Sequence, residues 1–246
     1  MSTQTARRSR PGRSGRVAGD VRAAVLSAHT GRFWTVDDFP GLDASAVDKA
    51  LVRLKDTGEL VTVRRGLYFR GKQSLFGMAR PSQEQLVAAV AGDRGVGPAG
   101  LTAANELSLS TQLPGVDVYA VPRPAPRDLP TVRFVSRPSR TGRLAAALSG
   151  IEVAVLEVLD SWEGVTDVTP SATADRLVEL IDAGQVRAAK LVRASVDEPA
   201  AARERLRHVL LLAGLADLSD EVPRARSALA RSKALAGLPV LTEATR

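Results

Sequence analysis

Residues 33–70, FWTVDDFPGLDASAVDKALVRLKDTGELVTVRRGLYFR, decide how this chain of 246 residues is read. Asp43 carries a side chain suited to a helix N-cap, and Gly58 suits the left-handed position just past a helix C-terminus. Together they predict a helix over residues 44–57. Inside it Val47, Ala50, Leu51 and Leu54 fall at i, i+3, i+4 and i+7, one apolar stripe along one side. Two β-rich runs follow, residues 59–63 and 67–70, around Arg64-Arg65-Gly66, and they read as a hairpin. Ahead of the helix, Phe33-Trp34-Thr35-Val36 is a short apolar strand or anchor. Asp37-Asp38-Phe39-Pro40 reads as a one-turn helix stopped by Pro40 and Gly41.

Working outward, Val17, Val21, Ala24, Val25 and Ala28 share one face of a first helix over residues 17–29, which Thr30-Gly31 ends. Helix, short helix, helix, hairpin is the order of a winged helix-turn-helix, here assigned to residues 17–80. Residues 1–16 hold Arg7, Arg8, Arg10, Arg13 and Arg16 with no acid, spaced by Ser, Gly and Pro. They read as a disordered basic arm, which either lies along phosphates or a minor groove or serves solubility.

Charge separates this region from the rest. Residues 1–80 contain 15 Lys/Arg against seven Asp/Glu, whereas residues 81–246 contain 19 against 20. The whole net charge of +7 therefore sits in the first third. Genomic base bias would raise arginine everywhere; an excess confined to one end is the footprint of a polyanion-binding module.

The predicted helix 44–57 turns its stripe inward, so its outward face holds Ser45, Lys49, Val52 and Asp56, flanked by Ala46, Asp48 and Arg53. Ser45 donates or accepts, and Lys49 and Arg53 reach guanine acceptors or phosphates. An exposed Val52 suits a thymine methyl. Asp48 reads as half of an internal ion pair, with cytosine as the alternative. Arg64 and Arg65 at the hairpin tip suit phosphates or the minor groove. Arg7, Arg8, Arg10 and Arg13 complete the candidate DNA-binding set. Alternation places Tyr68 and Phe69 on opposite faces of their strand, one of them packed beneath the hairpin.

Residues 81–164 read as a mixed α/β domain. Ser82 caps a helix running to about Gly92, with Gln85 at the capping-box position and Leu86, Val87 and Val90 buried. Residues 102–107 form a shorter helix. Residues 117–121 and 131–135 are two strands separated by a turn rich in proline. Ile151, Val155, Leu156 and Leu159 share one side of a helix, on which Glu152, Glu157 and Asp160 are expected to face solvent. Residues 165–246 read as a helical C-terminal part, in which Arg203, Arg205 and Arg207 form a solvated face. The fold class is thus α+β, mainly helical.

The wing segment also resembles a known family. Asp38-Phe39, Ala50-Leu51-Val52-Arg53-Leu54, Gly58-Glu59-Leu60 and Arg65-Gly66-Leu67-Tyr68 look like the N-terminal winged domain of AbiEi-type antitoxins. The segment PAGLTAANELSLSTQLP at residues 98–114, followed by two strands, is similar to the part after the wing in one branch of that family. The resemblance covers roughly residues 20–160. It implies a DNA-binding antitoxin that represses its own operon by binding inverted repeats at its promoter and neutralises a nucleotidyltransferase-like toxin. The toxin's own signature, Gly-Ser followed by spaced carboxylates, is absent. The alternative is a stand-alone winged-helix regulator whose C-terminal part senses a ligand or dimerises.

Other classes fit the sequence poorly. There is no cysteine, and the two histidines, His29 and His208, are far apart, so neither a metal site nor another cofactor is expected. The chain holds no phosphate-binding Gly-rich loop, no H-E-x-x-H and no G-x-S-x-G, so an enzyme is not expected. No apolar run reaches the ~18 residues of a membrane span, and no apolar signal core follows the basic N-terminus. A soluble cytoplasmic protein without a membrane partner is expected.

Overall fold

The computed structural model describes residues 13–239. Among them the architecture is α+β and mainly helical, with about half of the residues in helices. The chain divides between Leu86 and Val87 into two compact units.

The N-terminal unit begins with α1 (Arg13–Ser27), β1 (Arg32–Trp34) and a 3-10 turn at Val36–Asp38. It continues through α2 (Ala44–Asp56), β2 (Val61–Arg64) and β3 (Leu67–Arg70). Local chemistry sets these limits. The Asp43 carboxylate accepts from the Ala46 amide at 2.8 Å and so satisfies an otherwise orphaned helix N–H. Gly58, at φ +77°, takes the left-handed step that ends α2, and Gly66, at φ +76°, turns the hairpin. The helix α1 starts at Arg13, so the last four residues of the segment read as a disordered arm are helical; residues 1–12, with Arg7, Arg8 and Arg10, lie outside the described residues.

Val47, Ala50, Leu51 and Leu54 of α2 are all buried, against Val21, Val25, Trp34, Phe39, Leu60 and Tyr68. Each fully buried side chain of this size stabilises by about 1.5–3 kcal/mol. Trp34 stacks on Phe39 with ring centroids 5.6 Å apart. The sheet order β1-β3-β2 puts β3 at the centre of an antiparallel sheet. That position corrects the expectation of one buried aromatic on β3. Tyr68 joins the core, while Phe69 is also buried, its ring 4.9 Å from Phe33. On the face away from that core Phe69 is flanked by its cross-strand neighbours Phe33 and Val61.

A second small hairpin, β4 (Gln73–Ser74) and β5 (Gly77–Met78), follows, which the sequence pattern does not show. The helix α3 (Gln83–Ala91) opens with a reciprocal capping box: the Ser82 amide donates to Gln85 Oε1 at 2.9 Å, and the Gln85 amide donates to Ser82 Oγ at 3.2 Å.

The C-terminal unit contains β6 (Gly97–Pro98), α4 (Gly100–Glu106), β7 (Asp117–Val121), β8 (Val132–Ser136), α5 (Gly142–Ala145) and α6 (Gly150–Asp160). It ends in α7 (Pro170–Asp182), α8 (Ala188–Ala194), α9 (Ala200–Leu212), α10 (Ala216–Glu221) and α11 (Ala228–Ala234). In its sheet β6 pairs antiparallel to β7, whereas β7 and β8 run parallel. Every residue of α6 from Glu152 to Leu159 is buried, the two glutamates Glu152 and Glu157 included. Gly97 lets β6 lie on this helix: a Cβ there would come within 2.4 Å of the Gly150 carbonyl oxygen.

One hydrophobic core runs from Ala99 to Val222, joining Leu156 and Leu159 of α6 to Leu177 and Leu180 of α7 and Leu206 and Leu210 of α9. The segments drawn from sequence as 81–164 and 165–246 share this core. Among the described residues no helix is long and apolar enough to cross a membrane.

Candidate nucleic-acid interface

The stripe that anchors α2 leaves a defined outward face. Ser45, Asp48, Lys49, Val52, Arg53 and Asp56 are exposed, Val52 at 38%. Four residues after α2 ends, the chain enters the β2–β3 hairpin, where Arg64 and Arg65 are exposed as well. The structure thus places Ser45, Lys49, Val52 and Arg53 on one helix surface and Arg64 and Arg65 at a neighbouring turn in sequence. Arg13 lies at the first residue of α1.

Partners sharpen the charge count. Asp43 caps α2, Asp38 pairs with Arg32 at 3.0 Å, Glu59 pairs with Arg22, and Asp56 pairs with Lys55 at 2.8 Å. Four of the unit's acids are therefore engaged. By contrast, Lys49, Arg53, Arg64 and Arg65 make no ion pair among the described residues. Exposed pairs contribute little to stability, about 0–1 kcal/mol, but they cancel field; unpaired cations do not. Pairing removes Arg22, Arg32 and Lys55 together with their acids and leaves the net excess unchanged, so that excess falls on the unpaired cations.

Asp48, read as half of an ion pair, makes none among the described residues; Lys55 is taken by Asp56 instead. Burial, and then the Asp48 charge, raise the Tyr68 phenol above its ordinary value. Tyr68 therefore stays a neutral core side chain beneath the helix. The sequence reading omitted two other exposed cations of this unit, Lys72 and Arg80; a count of basic residues between Leu60 and Gln83, where no acid occurs, would have found them.

The C-terminal unit corrects two further expectations. Glu152 and Glu157, read as solvent-facing, are buried, Glu152 at 0% exposure, and Asp160 is half-buried. Arginines distant in sequence meet them. Arg187 reaches Glu152 at 2.7 Å; Arg143 and Arg140 reach Glu157 at 2.7 and 2.9 Å; Arg140 reaches Asp160 at 2.6 Å. Burial alone would push the Glu157 carboxyl up, but Arg143, Arg137 and Arg140 outweigh it and hold it below its ordinary value. Glu152 is likewise held low, burial being outweighed by hydrogen bonds from Arg187 and Ser149.

Arg205 and Arg207, read as a solvated face with Arg203, are buried, and Arg203 is half-buried. Arg205 and Arg207 are satisfied by helix C-termini and by the carboxylates of Glu163 and Asp220. Arg205 donates to the carbonyls of Leu159, at 3.0 Å, and Ala234, also at 3.0 Å; Arg207 donates to Val222 at 2.9 Å. A guanidinium there meets both the unpaired carbonyls and the negative end of the helix dipole. His208, also buried, has its pKa lowered by burial. Among the described residues no cluster of His, Cys, Asp and Glu could hold a metal ion. This network joins elements of one core and offers no open site.

Comparison with known proteins adds little chemistry. No curated protein matches the chain. The crystal structure of the RV2827C protein from Mycobacterium tuberculosis is similar at 20% identity over 96% of this chain and 84% of that one, with a TM-score of 0.42. Residues 20–132, which take in most of the N-terminal unit and the start of the next, match a family of unknown function, DUF6088.

Proposed function

We propose that the N-terminal unit is a winged helix-turn-helix that binds duplex DNA, with α2 as the recognition helix and the β2–β3 hairpin as the wing. The observation that carries this reading is the set of exposed cations Lys49, Arg53, Arg64 and Arg65, which make no ion pair among the described residues, in a unit where half of the acids are engaged elsewhere. A helix of 13 residues spans about 20 Å, enough to lie in a major groove with its first turns at base edges. Ser45 and Lys49 then face bases, Val52 suits a thymine methyl, and Arg64 and Arg65 hold phosphates beside the groove.

On the resemblance of residues 33–70 and 98–114, the biological role is that of an antitoxin. The chain represses its own operon and neutralises a nucleotidyltransferase-like toxin. The experiment is anisotropy titration of the full chain against its own promoter duplex and a scrambled duplex at two salt concentrations. Tighter promoter binding that weakens steeply with salt is expected; equal or absent binding refutes the reading. Rescue of growth on co-expression with a toxin encoded beside it tests the antitoxin role separately.

A further inference from the structure

The β4–β5 hairpin pairs Ser74 with Gly77, leaving Leu75 and Phe76 as its tip. Both side chains are fully exposed, at 100% and 101%. Turns this tight ordinarily carry Asn, Asp or Gly, whose backbones suit the bend. A leucine and a phenylalanine in water add nothing to folding.

The tip is held in place. Ser74 Oγ donates to the Gly77 carbonyl at 2.8 Å and accepts from the Phe76 amide at 3.2 Å. Gly77 takes the left-handed conformation at φ +98°. At the base the Ala79 amide donates to the Lys72 carbonyl at 2.9 Å. Gly71 permits that approach, since a Cβ there would lie 1.9 Å from the Ala79 oxygen. The apolar pair therefore projects from a closed stem.

Its electrostatic setting is one-sided. From Leu60 to Gln83 the chain carries Arg64, Arg65, Arg70, Lys72 and Arg80 and no acid. Apart from Arg70, which donates to the Ala28 carbonyl, these make no polar side-chain contact among the described residues. The matching partner offers dense negative charge and, beside it, an apolar slot. Duplex DNA does both: phosphates line the groove, and pyrimidine–purine steps open readily between stacked bases. We infer that Leu75 and Phe76 form a wedge that enters the minor groove and partly unstacks a base step, bending the duplex. This inference rests on the DNA-binding reading above.

The test compares the full chain with its Leu75→Ser, Phe76→Ser double variant on a duplex of about 30 bp. The duplex has one central TpA step, 2-aminopurine at that step and a donor–acceptor pair at its ends. Saturating wild-type chain is expected to raise the 2-aminopurine signal and shorten the end-to-end distance. The variant, folded alike by circular dichroism because neither side chain is packed, is expected to bind about tenfold more weakly with the same salt slope and to give neither signal. The wedge is overturned if the variant unstacks and bends as the wild type does. It is equally overturned if bound wild type leaves the duplex straight, in which case a pocket on a protein partner is the tip's target. If the wild type binds no duplex even at low salt, the DNA-binding reading itself fails.

Discussion

Arg64 and Arg65 in the N-terminal unit stand in solvent without partners among the described residues, whereas Arg143 in the C-terminal unit is 1% exposed and grips Glu198 through Nε at 2.6 Å and Nη2 at 2.8 Å. One residue type serves opposite ends. In the first unit arginine supplies field to the outside; in the second it neutralises buried carboxylates and caps helix C-termini. What distinguishes the two units is therefore not the charges they carry but which of them remain unpaired at the surface. By composition the C-terminal unit is nearly neutral, and its charges are turned on each other.

The contrast is broken most severely at the buried network. Glu198→Ala should destabilise the C-terminal unit by about 3 kcal/mol in urea unfolding, the lower end for a severed buried pair because Glu157 still holds Arg143. A loss below about 1 kcal/mol would mean that the pair is not buried as described. Acid should act on the same unit. Glu152 and Glu157 are held below the ordinary glutamate value of 4.5. Their contribution to stability is thus complete above that value and lost as pH falls through the lowered folded values. Trp162 fluorescence in a Trp34→Phe variant should report unfolding only below about pH 4.5; a transition above it would contradict the pairing.

On the other side of the comparison the effects appear in binding. Lys49→Ala should weaken the promoter duplex by about 1–3 kcal/mol and a scrambled duplex little. Equal losses on both would demote α2 from reading bases to holding backbone. The Arg64→Ala, Arg65→Ala variant should weaken both duplexes alike and lessen the salt slope by about 1.8, at ~0.9 per phosphate contact. Its thermal stability should move by less than about 0.5 kcal/mol, since neither side chain packs on anything. A larger loss of stability would place these arginines in the structure rather than at its surface.

How far each result was legible in advance depends on the range of the forces involved. The helix α2 is visible in sequence because its signals are local: a cap three residues from the amide it accepts, a stripe at helical period, and a glycine at the C-terminus. The hairpin turn at Gly66 and the capping box at Ser82 and Gln85 are local in the same way. Charge segregation is additive, so it too needs no coordinates. Tertiary structure alone decided which acids are solvated, because Glu157 and Glu152 meet arginines 20 and 35 residues away, and Arg143 meets Glu198 at a separation of 55. It also decided the burial of both Tyr68, in the core beneath α2, and Phe69, between its cross-strand neighbours Phe33 and Val61, and the parallel pairing of β7 with β8. Periodicity reports which residues share a face of one element; what lies opposite that face is set by long-range packing, and a buried charge is tolerated only when the chain returns to bring its counter-charge.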